Sequence, residues 1–161
     1  MLANDQEDME RSPGRRKDGP NPTGRSFVIG LDRKSGKIRW QTETKTFLAG
    51  YSTPCVYQAE GGRPELIFSN TAHGIMAVDP ATGEIAWKFG QPFVDRAVIS
   101  PVVAPGLVIA GQGAGLRGTR CIAVRPSSSD QGAVPTLAYA ITKSLPMVPT
   151  PLVKDGRLFL W

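Results

Sequence analysis

The 161-residue sequence predicts an all-β fold, a partial β-propeller of four-stranded antiparallel blades with about two complete blades and parts of two others. Three observations predict it. The phrase "GLDRKSGKIRWQT", Gly30 to Thr42, returns 47 residues later as "AVDPATGEIAWKF", Ala77 to Phe89, with Asp79, Gly83 and Trp87 at the places of Asp32, Gly36 and Trp40. Strand openings "STPCVY", "ISPVVA" and "PTPLVK" set Pro54, Pro101 and Pro151 at nearly the same interval. Between these landmarks lie short β-rich runs, and about 47 residues carrying four of them is the size of one blade.

Residues 1–25 are polar, rich in Pro and Gly and without hydrophobic period, so they are expected to be a flexible lead-in. Residues 26–46 are expected to be the closing hairpin of a blade: "SFVIGLD" and "KIRWQT" flank the turn "DRKSG". Asp at the first turn position can accept hydrogen bonds from later backbone N–H groups, and Gly at the fifth takes the left-handed conformation that other residues resist. In the second copy Pro80 pre-sets φ and Thr82 precedes Gly83.

Residues 47–95 form the first complete blade, with runs "STPCVY", "ELIFSN" and "GIMAVD" and a last strand in which Ile85, Trp87 and Phe89 alternate with Glu84, Ala86 and Lys88. Ile38 and Trp40 are expected to make the same apolar face against Lys37 and Arg39. Residues 96–145 repeat the plan with "ISPVVA", "GLVIAGQ", "TRCIAV" and "LAYAI". In this third copy the turn has become the long loop "RPSSSDQGAVPT", and Tyr139 takes the tryptophan position. Residues 146–161 open a further blade, and "GRLFLW" stopping in mid-strand is the pattern of a truncated one.

The formal charge of +5 is scattered over turns and strand faces without a basic stripe interleaved with aromatics, which argues against nucleic-acid binding. No run of eighteen apolar residues is present, so no membrane-spanning helix is expected. Cys55 and Cys121 are too few for a disulfide framework and too far apart for a metal knuckle, and are expected to be small buried hydrophobes, a bridge between the two being the open alternative.

Few residues invite a chemical reading. "GAGLRG", Gly113 to Gly118, has the spacing of a dinucleotide fingerprint, but strand-like "TRCIAVRP" follows where a helix is needed, so a loop between strands is expected. His73 is the only histidine and has no carboxylate or nucleophile at a suggestive spacing. With Asn70 and Arg117 it lies between strands, where loops reach a rim, and these three are the candidate ligand residues. Tyr51, Asp95 and Arg96 lie on the connections between blades, and Ser127 to Gln131 lie in the long loop.

The pattern A/G-x-D-x-x-T/S-G-x-x-x-W in "GLDRKSGKIRW" and "AVDPATGEIAW" resembles the pyrroloquinoline-quinone-like (PQQ-like) β-propeller repeats, over Ser26 to Trp161. The resemblance implies a structural docking role for Asp32, Gly36, Trp40, Asp79, Thr82, Gly83, Trp87 and Tyr139. It also implies a non-enzymatic scaffold in the periplasm or outside the cell, binding protein or a small polar ligand at a propeller face. Its sheets would be completed by the remaining blades of a parent protein or by self-association, and no cofactor is expected. The alternative within the family is a fragment of an alcohol or sugar dehydrogenase using PQQ and calcium, whose active-site residues lie outside this chain. That site typically has adjacent cysteines and acidic calcium ligands, which are not identifiable in these 161 residues.

Overall fold

The computed structural model describes residues 2–4, 26–46, 48–90, 93–115, 118–126 and 134–161. Among these there is no helix, and every strand pairing is antiparallel. The first sheet has the order β1 (Leu2–Asn4), β2 (Ser26–Leu31), β3 (Ile38–Thr44). The second is a four-stranded meander of β4 (Cys55–Gln58), β5 (Pro64–Asn70), β6 (Gly74–Val78) and β7 (Ile85–Phe89). The third repeats it with β8 (Ile99–Ala104), β9 (Leu107–Gly115), β10 (Gly118–Arg125) and β11 (Thr136–Ile141). The fourth is the hairpin β12 (Leu152–Lys154) and β13 (Arg157–Phe159).

The ladders show which residues correspond from sheet to sheet. Leu66 pairs with Val78 as Val108 pairs with Val124, and Ile67 pairs with Ala77 as Ile109 pairs with Ala123. One face of the second sheet, Leu66, Phe68, Met76 and Val78, packs with Val28 and Trp40 of the first. Its other face, Ile67, Ile75, Ala77, Trp87 and Phe89, packs against Val108, Ala110, Ile122 and Val124 of the third. The third sheet in turn sets Ile109, Cys121 and Ala123 against Leu145 and Leu158. Successive side chains on a strand point to opposite faces, so a strand flanked on both sides is apolar throughout. That is why β6, "GIMAV", is buried at every position. Each buried aliphatic side chain contributes about 1.5–3 kcal/mol.

A bulge recurs at the same place in three hairpins. Val78 faces Ile85 while Ala77 faces Trp87, so Ala86 is the extra residue. Arg39 and Ala138 hold that place in the β2–β3 and β10–β11 pairs. Each bulge brings an aromatic opposite a small residue: Trp40 opposite Gly30, Trp87 opposite Ala77, Tyr139 opposite Ala123. A bulge re-aims the side chains beside it.

Three expectations are corrected. Leu2–Asn4, within the expected lead-in, is a strand that pairs with Phe27–Ile29, because the outer edge of β2 offers an open backbone ladder. Residues 5–25 lie outside the described residues. Ile38 is 60% exposed and not on a buried face, since it immediately follows the turn on the edge strand β3. Of the glycine-rich stretch, Gly113 to Gly115 belong to β9 and Gly118 to β10 rather than to a loop, with Gly115 and Gly118 paired, because glycine leaves the backbone ladder free to continue; residues 116 and 117 lie outside the described residues.

Candidate functional site

The two repeated turns are built alike. Asp32 Oδ1 accepts hydrogen bonds from the backbone N–H of Lys34 (3.1 Å) and Ser35 (2.9 Å) and from the Ser35 hydroxyl. Asp79 Oδ1 accepts from Ala81 N–H (2.6 Å) and Thr82 N–H (3.1 Å). In each, the glycine N–H returns to the aspartate carbonyl and the aspartate N–H closes the hairpin. Gly36 and Gly83 have φ of +69° and +80°, the left-handed region that costs other residues energy. The Ser35 N–H, then the Arg39 guanidinium at 2.9 Å, hold the Asp32 carboxyl well below the usual carboxylate range.

Trp40 reaches out of its own sheet. Its indole Nε1 donates to the Pro80 carbonyl at 2.9 Å, and its ring lies so close to Gly83 that a Cβ there would meet Cε3 at 2.5 Å. A Cβ on Gly30 would also strike the ring. Beside it, the Thr42 hydroxyl donates to the Gly83 carbonyl. Trp87 corresponds to Trp40 but is buried, and its Nε1 donates to Glu65 Oε2 on β5 at 2.9 Å, within its own sheet. Burial pushes the Glu65 carboxyl up, the Trp87 N–H partly opposes this, and the nearby charge of Asp79 adds to the rise. Tyr139 remains partly exposed on β11.

The connections between sheets lie side by side. Tyr51 N–H donates to the Ala97 carbonyl (3.0 Å), Arg96 Nη1 to the Ala49 carbonyl (3.2 Å), and Thr53 N–H to the Ser100 hydroxyl (2.8 Å). The Arg96 guanidinium carbon stands 5.9 Å from the centre of the Tyr51 ring, a cation–π distance. Asn70, at the end of β5, accepts Ala72 N–H (3.0 Å) and His73 N–H (2.7 Å) on Oδ1, which fixes the turn into β6. Its counterpart in the third sheet is Gln112, which accepts Val94 and Asp95 N–H and donates to the Gly118 carbonyl. Sequence reasoning missed Gln112.

The sequence candidates thus meet in part. Asn70 and Tyr51 line one pocket of about 190 Å³ with Val28, Gly50, Ser52, Phe68, Ser69 and Met76. His73 adjoins it through the Asn70 turn, and burial, with Lys88 and Lys45, pushes its imidazole pKa down. Arg117 and Ser127 to Gln131 lie outside the described residues.

Cys55 and Cys121 are free, on different sheets, and burial pushes both thiols up to about 11, far from reactive thiolates. The cysteines are thus not adjacent, and Asp32 and Asp79 are each held by their own turn. Among the described residues no three His, Cys, Asp or Glu side chains group as metal ligands, and no helix is long and apolar enough to cross a membrane. No family model matches the chain, and no curated protein matches its sequence.

Proposed function

We propose that this chain is a section of a PQQ-like β-propeller and serves as a non-enzymatic scaffold that binds protein or a small polar ligand at a propeller face. The single observation that carries the reading is the correspondence of apolar faces. Leu66, Phe68, Met76 and Val78 recur as Val108, Ala110, Ile122 and Val124, each set packed on the preceding sheet. Stacking sheets that each bury one face against the last and one against the next is how propeller blades cohere.

The polar groups support a scaffold over a catalyst. Asp32, Asp79, Asn70 and Gln112 hold turns and connections, and the paired hydroxyls of Thr46 and Thr71 (2.8 Å) tie a connection to the turn after β5. On this reading Trp40 is the docking tryptophan, and Tyr51, Asn70 and His73 border the face open to a ligand. The family resemblance is also the basis for a periplasmic or extracellular location.

Reconstitution tests the proposal. The purified chain, given PQQ and calcium, is expected to retain no quinone absorbance after desalting and to support no dye-linked oxidation of alcohols or sugars. Retained quinone with dye reduction would overturn it.

A further inference from the structure

The second and third sheets pack face to face, but the hairpins at one end of them are unequal. Gln58 pairs with Pro64, so the turn between β4 and β5 runs from Ala59 to Arg63. Ala104 pairs with Leu107, so the turn between β8 and β9 is only Pro105 and Gly106. Proline presets φ and Gly106 takes +69°, which makes this the tighter reversal. The longer turn is braced from within, by Gly62 N–H on the Ala59 carbonyl (3.0 Å) and Gln58 Nε2 on the Gly62 carbonyl (3.0 Å). A long turn beside a short one leaves a cleft of about 480 Å³, lined from the second sheet by Tyr57, Gln58 and Glu60 and from the third by Val103, Pro105 and Gly106. It lies at the opposite end of the strands from Tyr51 and Asn70, and both of its walls belong to complete four-stranded sheets.

One wall departs from the repeat. By register Tyr57 and its ladder partner Glu65 stand where the third sheet has Ala104 and Leu107, which pack with Ile109 and Cys121. Tyr57 is 9% exposed, yet among the described residues its hydroxyl makes no hydrogen bond, and a buried phenol usually finds a partner. Glu65 gives one carboxylate oxygen to the Trp87 indole, and among the described residues the other accepts nothing. Burial, then the Glu65 charge, push the Tyr57 pKa up, so the phenol stays neutral with lone pairs to offer a donor. Glu60 adds a carboxylate to the lining, whereas Arg63, the base of the same turn, does not line the cleft.

We propose that the cleft between the β4–β5 and β8–β9 hairpins binds a primary ammonium group on an alkyl stem, the ammonium donating to the Tyr57 hydroxyl oxygen and the Glu60 carboxylate and the stem lying on Val103 and Pro105. An ammonium carries three donors and no acceptor, the complement of a wall that offers acceptors and negative charge. An anion would meet Glu60 with Glu65 behind it, and a purely apolar guest would leave the Tyr57 hydroxyl unpaired. A free alkylamine and a lysine side chain share this chemistry, and the cleft is of the size that holds small ligands. The site stands on the second and third sheets alone and does not rest on the propeller reading.

Titration of the isotope-labelled full chain with butylammonium and with Nα-acetyl-lysine amide, followed by nuclear magnetic resonance, tests the site. Expected is saturable movement of the Glu60 and Gly106 amide signals, and none at equal concentration with butanol, which has the stem without the charge. Tyr57→Phe deletes only an unpartnered hydroxyl, so it should keep the wild-type melting temperature while weakening binding at least roughly tenfold, the loss expected for a hydrogen bond to a charged group. Glu60→Gln, on an exposed turn, should weaken binding as well. Tighter binding of acetyl-lysine amide would assign the site to a lysine of a partner protein, and tighter binding of butylammonium to a free amine. No saturable movement with either probe, equal movement with butanol, or full affinity in Tyr57→Phe would overturn the proposal.

Discussion

The indole nitrogen of Trp40 donates a 2.9 Å hydrogen bond to the carbonyl of Pro80, forty residues further along the chain and in the turn of the next sheet. A side chain of the first sheet therefore satisfies a backbone oxygen of the second while its ring covers Gly83. Packing and hydrogen bonding at this point make separate, measurable contributions.

Trp40→Phe keeps an aromatic ring and removes the donor. It is expected to cost about 1 kcal/mol, the usual net worth of one hydrogen bond. Trp40→Ala also removes the packing and is expected to cost about 3 kcal/mol, the low end for a core aromatic because the ring is only half-buried. Urea unfolding separates the two; equal losses would deny the ring its role.

Gly36 and Gly83 give a matched pair. Both have positive φ, but a Cβ at Gly36 meets nothing within 4 Å, whereas one at Gly83 meets Trp40 Cε3 at 2.5 Å and Thr42 Oγ1 at 2.9 Å. Gly36→Ala is expected to cost roughly 1–2 kcal/mol of backbone strain. Gly83→Ala adds overpacking and is expected to cost roughly 2–5 kcal/mol. Melting temperatures of the two variants rank them.

Glu65 and Asp32 predict opposite pH dependences. Burial raises the Glu65 carboxyl in the folded chain, so folding binds its proton more tightly than the unfolded chain does. Its contribution is complete below its ordinary pKa and is lost as pH rises through the folded value. Glu65→Gln keeps an acceptor for Trp87 and should flatten that loss. Asp32 is lowered, first by the Ser35 N–H, so its contribution is complete above its ordinary pKa and drains away as pH falls. Asp32→Asn should remove the acid limb alone. Denaturant midpoints from acid to neutral pH check both signs.

Much of the fold was legible because it is written in turns. The Asp-to-Gly phrase, with its demands on φ and on backbone donors, located the hairpins at 32–36 and 79–83, and the alternation of Ile85, Trp87 and Phe89 located a buried face. The recurring bulge was not legible, since Arg39, Ala86 and Ala138 share no chemistry; only the ladder reveals them. Gln112 was hidden for a related reason. From Cys55 to Val102 the interval is 47 residues, but from Ile67 to Ile109 it is 42, because the β8–β9 turn is five residues shorter in register than the β4–β5 turn. A longer β9–β10 hairpin then restores the period, so counting from Asn70 lands on Arg117 and misses its true counterpart. The pocket was invisible because Val28 and Met76 lie on different sheets.

A double-mutant cycle between Trp40 and Gly83 tests the stacking of consecutive sheets most directly. In the Trp40→Ala background the cost of Gly83→Ala should fall toward that of Gly36→Ala, with only the Thr42 Oγ1 contact left, a coupling of roughly 1–3 kcal/mol. Costs that simply add would mean that Trp40 does not lie on the Asp79–Gly83 turn, and the sheet-to-sheet contact on which the proposed scaffold rests would be contradicted.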